Sequence, residues 1–455
     1  MIHKYKLNGF NIVLDVNSGG VHVVDDLTYD LLDNVMPPFD GECPEYVIEK
    51  LSRFYGKEDI KSCYHEICEL YKDKILYSED EYEKFAKSYV ASPVKAMCLL
   101  IAMDCNLRCE YCFASTGDYG HGRKLMDFDT GKKAIDFLLE NSKDRKHLEV
   151  DFFGGEPLMN FDAVIKIVEY ARSKEQEHNK HFNFTITTNG TLLDDDKIKF
   201  INDEMYNVVL SIDGRKEVND KMRKRVDGTG CHDKILENYK KLVSQRGDKE
   251  YYVRGTYTKY NIDFSNDVMH LFEEGFDQIS IEPVVADTNE AYAISERDLP
   301  AIFCEYEKLA DKMIGISNDK KFCNFFHFMI DLDQGPCAIK RLRGCGCGND
   351  YVAVTPDGDI YPCHQFVGHD EFVMGNLSDG ILDMNIKNSF VNTHIYTKPD
   401  CVKCWARFYC SGGCNANNYI YCGDVHTPYR ITCEIHKKRL ECAIMMQVNK
   451  AEQSY

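Results

Sequence analysis

The sequence predicts an α/β fold: a partial parallel barrel of six strand–helix units with a smaller domain on either side. Between residues 93 and 328, short apolar runs alternate with helical patterns, which is typical of a parallel sheet whose crossovers are helices. Hairpin turn signals precede this region, and clustered cysteines follow it. We therefore predict three domains, at residues 1–88, 93–328 and 329–455.

The first segment begins with three short alternating runs, at residues 4–7, 10–14 and 21–24, separated by turn signals such as Asn8-Gly9. Helical patterns follow at residues 28–35, 45–54 and 59–76. A small sheet with three helices has the size of a winged-helix module and resembles the precursor-recognition domain of peptide-modifying enzymes. The alternative is an N-terminal extension that only packs on the barrel.

The second segment supplies the barrel strands. They are predicted at residues 95–102, 148–153, 183–188, 207–212, 251–257 and 278–282, with helical stretches between them. Six units are fewer than the eight of a closed barrel, so the barrel is expected to be partial. The active site of such a barrel lies at the carboxyl ends of its strands. Each motif described next follows a predicted strand.

Three cysteines follow the first strand, in Cys105-Asn-Leu-Arg-Cys109-Glu-Tyr-Cys112. A loop this short brings three thiolates to one iron–sulfur cube and leaves the fourth iron without a protein ligand. The spacing closely resembles the signature of the radical SAM superfamily. In that family the open iron binds S-adenosylmethionine (SAM), and an electron from the cluster cleaves SAM to a 5'-deoxyadenosyl radical. A zinc site would need a fourth Cys or His nearby, and the next histidine is His121.

The second strand is followed by Gly154-Gly155-Glu156-Pro157. Two adjacent glycines let the backbone approach a ligand closely. The motif lies about forty residues after the cysteine loop and matches the GGEP element of the resembled family. The resemblance implies that Gly154, Gly155 and Glu156 help to bind the methionine part of SAM.

Further candidate residues lie at and after the end of the fourth strand, on the fifth strand and within the cysteine loop. The resemblance implies that Ser211 contacts the ribose of SAM and that Arg223 pairs with its carboxylate, as guanidinium groups do. Tyr111 matches a position close to the adenine. The sequence leaves two questions open: whether Asp213 only caps the next helix, and whether Arg254 faces the barrel interior or forms an ion pair.

The third segment carries a second cysteine pattern. A G-x4-C element is followed by a C-x2-C-x5-C-x3-C run and then by a lone cysteine. This pattern matches the SPASM extension of radical SAM enzymes, which holds two auxiliary [4Fe-4S] clusters. Zinc is the alternative, because C-x2-C also binds tetrahedral zinc. The resemblance implies an outer cluster on Cys401, Cys404, Cys410 and Cys433, and an inner cluster on Cys345, Cys363 and Cys414.

The fourth ligand of the inner cluster stays open at this point. Cys337 and Cys347 are two candidates, and the third possibility is an iron that binds a substrate thiolate instead. Cys345 and Cys347 are only two positions apart, so both bind one cluster only if their loop bends sharply, which the flanking glycines permit.

Composition sets the remaining expectations. The formal net charge of -19 argues against a nucleic-acid partner, because binding a phosphate backbone relies on clustered Lys and Arg. The 21 cysteines are unevenly spread, and we find no signal-like or membrane-spanning run, so we predict a cytoplasmic protein of an anaerobic cell with no membrane partner. Five isolated cysteines are predicted to be core residues: Cys63, Cys68, Cys231, Cys304 and Cys442.

One position narrows the reaction. In anaerobic sulfatase-maturating enzymes, which share these cluster motifs, the residue after the G-x4-C cysteine is an Asp that acts as a base, whereas here it is His364. Together with the front domain, the sequence Cys363-His-Gln-Phe366 looks most like the SCIFF-type sactipeptide maturases. That family joins a cysteine sulfur to the α-carbon of another residue of a precursor peptide.

The resemblance therefore implies an enzyme that installs such a thioether in a leader-bearing, cysteine-rich ribosomal precursor peptide through a 5'-deoxyadenosyl radical. Its expected cofactors are three [4Fe-4S] clusters and SAM. Its expected partners are the precursor peptide and an electron donor such as flavodoxin or ferredoxin. The alternatives are a carbon–carbon crosslink, a β- or γ-thioether, sulfatase maturation, and, in another class, a non-catalytic iron–sulfur carrier or zinc scaffold.

Overall fold

The protein is described by a computed structural model that covers residues 1–39, 41–88, 91–318, 322–332, 338–380 and 382–453. Its first part is a three-stranded antiparallel sheet in the order β1-β2-β3, with helices packed on one face. The elements are β1 (Ile2–Leu7), β2 (Phe10–Asp15), β3 (Val21–Val23), α1 (Asp26–Leu31), α2 (Glu45–Leu51), α3 (Lys57–Lys72) and α4 (Tyr82–Ser88).

Both faces of this small sheet are buried. Successive side chains of a strand point to opposite faces, and in β2 Val13 packs against the helices while Ile12 and Leu14 join the main core. On β1, the hydroxyl of Tyr5 donates to the carbonyl of Glu441 at 3.0 Å. The N-terminal sheet is therefore fixed to the C-terminal end of the chain, and β3 forms its opposite edge.

The central region alternates strands and helices as predicted. Its strands are β4 (Ala96–Met103), β5 (Leu107–Cys109), β6 (Lys124–Leu125), β7 (His147–Gly154), β8 (His181–Thr188), β9 (Met205–Ser211), β10 (Arg223–Arg225), β11 (Glu250–Tyr257), β12 (Gln278–Pro283) and β13 (Asn324–Phe325). Its helices are α5 (Phe128–Asn141), α6 (Phe161–His178), α7 (Asp195–Glu204), α8 (Lys216–Met222), α9 (His232–Ser244), α10 (Ser265–Glu273) and α11 (Leu299–Asn318).

Six of these strands lie side by side and parallel, in the order β4-β7-β8-β9-β11-β12. This arrangement confirms the predicted partial barrel. All eight residues of β4 are buried, because helices and loops cover both faces of a parallel sheet. The carboxyl ends of the six strands meet on one side of the sheet.

The last part of the chain extends the same sheet, which the sequence did not predict. It contains α12 (Ala338–Arg343), β14 (Tyr351–Val354), β15 (Asp359–Tyr361), β16 (Gly375–Asn376), α13 (Met384–Val391), α14 (Pro399–Val402), α15 (Arg407–Cys410), α16 (Asn415–Cys422) and α17 (Arg430–Glu452). Strand β14 pairs parallel with β4, on the side of β4 opposite β7, and β15 and β16 continue the sheet antiparallel. The cysteine-rich region is thus attached directly to the first barrel strand.

Helix α17 packs along α11. Arg439 of α17 is buried there and donates through Nε to the hydroxyl of Tyr306 at 2.7 Å. Four of the five isolated cysteines predicted to be core residues are buried, but Cys304 is exposed, so that prediction was wrong. Cys304 lies on α11 between the buried positions Ile302 and Tyr306, on the turn that faces solvent. In the described parts of the chain, none of the helices combines the length and apolar character that crossing a membrane requires.

Candidate functional site

The cysteine loop leaves the carboxyl end of β4 and is held by a short antiparallel ladder between β5 and β10. In that ladder Cys109 lies directly opposite Arg223. The backbone N–H of Leu107 donates to the sulfur of Cys105 at 3.4 Å, and the side-chain amide of Asn189 donates to the same sulfur at 3.6 Å. Donors that point at a sulfur favour its thiolate, which is the form that binds metal.

The structure brings the three loop cysteines together. Cys105, Cys109 and Cys112 all line one cavity. Burial raises the pKa of Cys109 to about 12; Arg223 opposes this, while the neighbouring sulfurs of Cys105 and Cys112 add to it. A thiol with so high a pKa stays protonated at neutral pH unless a metal replaces the proton.

The cavity has a volume of about 270 Å³ and lies at the carboxyl ends of the barrel strands, as expected for this fold. Its wall combines the cysteine loop, the ends of strands β7 to β12 and two stretches of the C-terminal region. Besides the loop cysteines, the polar and aromatic lining residues are Tyr111, Phe113, Phe153, Thr187, Thr188, Asn189, Ser211, Arg223, Arg254, Thr256, Glu282, His364, Gln365, Cys414 and Asn417.

A buried chain of hydrogen bonds orients Arg223. Its Nη1 donates to the hydroxyl of Tyr111 at 3.1 Å, and that hydroxyl donates to the carboxylate of Asp213 at 2.6 Å. Burial raises the pKa of Asp213, whereas Arg223 and the Tyr111 hydroxyl act in the opposite direction. The Nε of Arg223 is buried and has no hydrogen-bond partner among the described residues. A buried, unpaired guanidinium donor fits a ligand carboxylate.

The same hydrogen bonds show whether Asp213 only caps the helix that follows it. Helix α8 has Arg215, not Asp213, at its N-cap. The carboxylate of Asp213 instead accepts from Tyr111 and from the backbone N–H of Thr256 at 3.0 Å. Asp213 therefore positions Tyr111, and the hydroxyl of Tyr111 is fully engaged within the protein, so only its ring is presented to the cavity.

Packing requires the two glycines at the end of β7, Gly154 as its last residue and Gly155 directly after it. A Cβ atom on Gly154 would lie 2.3 Å from the carbonyl oxygen of Ala102, and one on Gly155 would lie 2.2 Å from that of Asp104. The N–H of Gly155 donates to the same Ala102 oxygen at 2.7 Å. The close approach lets the β7 turn support the start of the cysteine loop, and both glycines line the cavity.

Glu156 lies behind the cavity wall rather than on it. Its Oε1 accepts from the hydroxyl of Thr188 at 2.7 Å, and its Oε2 accepts from the N–H of Asn189 at 2.7 Å. Burial raises its pKa to about 7 against the opposing effect of these bonds. We therefore assign Glu156 a positioning role, because both of its oxygens accept hydrogen bonds from the end of β8 and the turn after it, and Glu156 does not line the cavity.

On the far side of the cavity, Arg254 of β11 pairs with Glu282 of β12 at 3.3 Å. Arg254 thus does both things that the sequence left open: it faces the cavity and forms an ion pair. Arg254 lowers the pKa of Glu282 to about 2. Sequence reasoning missed Glu282, although its place at the end of the sixth predicted strand could have indicated it.

His364 packs against an aromatic wall. Its ring centroid lies 4.6 Å from that of Phe153 and 5.7 Å from that of Phe113. Burial lowers the pKa of His364 to about 4, with Arg254 adding to the effect. The ring is therefore neutral at physiological pH.

The C-terminal cysteines form two groups. The outer group is Cys401, Cys404, Cys410 and Cys433: burial raises the pKa of Cys433 to about 12, and the sulfurs of the other three add to the shift. Core packing does not require four sulfurs from three separate segments to lie close together, whereas the ligand set of a cluster does.

The inner group contains Cys345, Cys347, Cys363 and Cys414. Burial raises the pKa of Cys414 to about 12, and Cys363 and Cys345 add to the shift. The thiol of Cys347 hydrogen-bonds the sulfur of Cys363 and lowers the pKa of Cys363. Cys414 also lines the cavity, so this group borders the space into which the cysteine loop projects. Cys337 lies outside the described residues.

The donor atoms of these groups fit four-iron clusters. Each group offers cysteine sulfurs alone, and cysteine thiolates are the ligands that hold [4Fe-4S] clusters, one sulfur at each ligated iron. Among the described residues, no three or more His, Cys, Asp or Glu side chains converge on one point.

Two family profiles match the sequence. The radical SAM superfamily matches residues 99–259, and the iron–sulfur cluster-binding SPASM domain matches residues 345–405. The first match contains the cysteine loop and the ladder that holds it. The second begins at the first cysteine of the inner group.

Curated relatives include the cysteine-type anaerobic sulfatase-maturating enzyme of Clostridium novyi (strain NT). It is 26% identical over 348 residues, which cover 71% of this chain and 89% of the relative. The radical SAM cyclopropyl synthase TigE of Paramaledivibacter caminithermalis is 20% identical over 399 residues, which cover 82% of this chain and 79% of TigE.

Solved structures share the fold. Native anSMEcpe with bound AdoMet has a TM-score of 0.66 at 22% identity, over 80% of this chain and 100% of that chain. Streptococcus suis SuiB bound to the precursor peptide SuiA has a TM-score of 0.53 at 17% identity, over 94% of this chain and 98% of that chain. The chain therefore has an α/β radical SAM fold, with a radical SAM match at residues 99–259 and an iron–sulfur cluster-binding SPASM match at residues 345–405.

Proposed function

We propose that this protein is a radical SAM peptide maturase that joins a cysteine sulfur to an α-carbon within a leader-bearing ribosomal precursor peptide. The observation that carries the proposal is the shared cavity: Cys105, Cys109 and Cys112 line one side of it, and Cys414 of the inner group lines another. A substrate residue in this cavity is within reach of both groups of thiols.

The chemistry of the crosslink requires both groups. Joining the sulfur to the α-carbon removes one hydrogen from each: the α-hydrogen leaves as an atom, and the thiol hydrogen leaves as a proton with one electron left over. Cys105, Cys109 and Cys112 would hold the cluster that, with SAM, would supply the hydrogen-abstracting radical, and the C-terminal cysteine groups would hold clusters able to take up the remaining electron. An electron donor such as flavodoxin or ferredoxin would provide the electron that SAM cleavage needs.

The roles of the chain's own residues follow from their contacts. The three loop cysteines would hold the first cluster. The unpaired Nε of Arg223 would bind the SAM carboxylate, with Ser211 at the ribose and Gly154 and Gly155 against the methionine part. Phe113 and Phe153 would exclude water from the substrate residue, which protects a radical from side reactions.

A thioether is favoured over formylglycine by one residue. His364, which is neutral and lies in the cavity against Phe153, stands where the resembled sulfatase-maturating enzymes have a carboxylate base. Sulfatase maturation stays the second candidate, because the relative from Clostridium novyi carries that name and aligns with 71% of this chain. A cytoplasmic location is part of the first proposal, and it agrees with cysteines that are free throughout the described residues.

The proposal is tested with anaerobically reconstituted enzyme, SAM, dithionite and a short cysteine-rich peptide that carries its leader. We expect 5'-deoxyadenosine and a peptide lighter by two hydrogens per crosslink, with one cysteine no longer open to alkylation. Deuterium placed on the acceptor α-carbon should appear in 5'-deoxyadenosine. Formylglycine would instead support sulfatase maturation, and the absence of any SAM cleavage would contradict both.

Leader binding is proposed for the N-terminal sheet. A groove with a volume of about 260 Å³ runs beside β3 and is closed on its other side by residues of α1 and α3, such as Thr28 and Ile67. An extended peptide can add a strand to an open sheet edge and place alternate side chains in such a groove. Val23, on β3, is 46% exposed, so this edge is accessible.

Replacing Val23 by Pro is expected to weaken leader binding at least tenfold, roughly the loss of one or two backbone hydrogen bonds. Val24 donates its N–H to Asn11 at 3.0 Å, so the alternation of an antiparallel pair turns the N–H of Val23 toward the open edge. Proline removes that donor but keeps the pairing with β2. Fluorescence anisotropy with a labelled leader measures the change.

The matched control is Val23→Ala, which keeps the N–H and should bind the leader nearly as well as the parent chain. SAM cleavage without peptide should be equal in both variants, because the cluster motifs lie outside this sheet. Equal leader affinity for the Pro and Ala variants would show that the leader binds elsewhere.

A further inference from the structure

A buried lysine lies between the two groups of C-terminal cysteines. Lys398, directly before α14, is only 1% exposed. Its ammonium donates to the carbonyl of Gly412 at 2.8 Å and to Oδ1 of Asn415 at 2.9 Å. Both acceptors are neutral, and among the described residues the structure gives Lys398 no carboxylate partner.

The groups with the largest charge effects on Lys398 are cysteine sulfurs; Lys398 also acts on Asp424, but the described residues show no ion pair between the two. Burial lowers the pKa of Lys398, and four cysteine sulfurs oppose that effect. Three belong to the outer group and one to the inner group. The hydrogen-bond acceptors agree with this, because Gly412 lies between Cys410 of the outer group and Cys414 of the inner group, and Asn415 directly follows Cys414. The four cysteines are Cys401, Cys410, Cys433 and Cys414.

A buried ammonium without a counter-charge is strongly unfavourable, so a buried lysine either gives up its proton or has negative charge nearby. A cysteine-ligated iron–sulfur cluster supplies such charge, and its net charge is one of the factors that set its reduction potential. Clusters bound by the two groups would therefore supply the counter-charge that Lys398 otherwise lacks.

We propose that Lys398 is a positioning residue for electron transfer, whose ammonium acts as the shared counter-charge of the two auxiliary clusters and stabilises their reduced states. The inference rests on the proposed function, because it takes the two cysteine groups as cluster ligands. Reduction adds one negative charge to a cluster, and a fixed positive charge in a low-dielectric interior favours that change. The electron released by crosslinking would then be held near the cavity rather than returned to it.

The test uses the full-length, three-cluster protein and a reductive titration followed by EPR. Lys398→Met keeps the side-chain length and removes the charge. We expect the oxidised-to-reduced equilibrium of both auxiliary clusters to shift at least tenfold toward the oxidised state, which is ~59 mV for a one-electron couple. The loop cluster should be unchanged. Lys398→Arg should keep the parent potentials.

Asn415→Asp provides a second, independent variant. It keeps Lys398 but replaces the amide that accepts from the ammonium by a carboxylate. The carboxylate compensates the positive charge while the lysine stays in place. The same downward shift is expected. This variant matters if the Met replacement disturbs cluster assembly, which iron content reports directly.

Lys437 is the matched control. It lies near Cys404 and Cys433 of the outer group, but it is paired with Glu434 at 2.8 Å and is partly exposed. Lys437→Met should therefore shift the outer cluster little and the inner cluster not at all, because exposed, paired charges have weak effects.

Each outcome decides the question. Unchanged potentials in Lys398→Met or Asn415→Asp, with full iron content, overturn the role of Lys398 and leave the proposed function standing. Loss of the clusters in both variants overturns it too, because Lys398 would then only support folding. Absence of iron from the parent chain would contradict the proposed function itself.

Discussion

Replacing Cys105, Cys109 and Cys112 together by Ala is expected to abolish 5'-deoxyadenosine formation and to remove about a third of the iron. Anaerobic reconstitution of the parent chain should give about twelve irons in three clusters. The three sulfurs line the same cavity, and the described residues place no other thiol in this loop to replace them. Iron analysis and chromatographic detection of 5'-deoxyadenosine measure the two effects.

The control for this variant is Cys304→Ala. Cys304 is an exposed thiol on α11 outside both cysteine groups, so its loss should change neither the iron content nor SAM cleavage. SAM cleavage that persists in the triple variant would remove the loop from the mechanism. Zinc in place of iron in the parent chain would contradict the cluster assignment altogether.

The barrel was predictable because each strand carries its own signal. Apolar runs such as 148–153 and 251–257 are long enough to indicate buried strands, and the helical patterns between them fix the parallel order. The added strand β14 was not predictable. It is four residues long and pairs with β4 across more than two hundred residues of sequence, and a pairing so remote leaves no local pattern.

The candidate site, too, could be predicted from the sequence only in part. The cysteine loop and Arg223 could be predicted, because residue type and spacing along the chain are enough to indicate their chemistry. Spacing did not separate residues that face the cavity from residues that hold them. Glu156 and Asp213 are both buried acids at strand ends, and only their hydrogen bonds to Asn189 and Tyr111 reveal that they act from behind the wall.

The ligands of the inner cysteine group were the part of the site that the sequence predicted least completely. From sequence alone, Cys347 is too close to Cys345 to be an evident second ligand. The folded chain changes this, because Gly346 and Gly348 both adopt positive φ, at 81° and 69°, a conformation that glycine takes without strain. The loop between them bends enough for the thiol of Cys347 to reach the sulfur of Cys363.

Replacing Cys347 by Ala is therefore expected to remove about one cluster, a third of the iron, and to abolish crosslinking of the precursor. The reason is that Cys347 would be the fourth ligand of the inner cluster, completing the set with Cys345, Cys363 and Cys414. SAM cleavage without crosslinking should persist, because the cysteine loop is untouched. Iron analysis, 5'-deoxyadenosine detection and peptide mass spectrometry measure the three results on one preparation.

The matched control is Cys98→Ala. Cys98 is also buried close to Cys363, but it lies within β4 and hydrogen-bonds Tyr351. The Cys98→Ala variant should therefore keep all of its iron and its crosslinking activity. If Cys347→Ala also keeps both, the inner cluster has an open iron, and a substrate thiolate can bind there. If Cys347→Ala loses one cluster, Cys347 is the ligand of the fourth iron, and no position on the inner cluster is open to substrate. The substrate sulfur then reacts without metal activation, and the inner cluster serves only to take the electron.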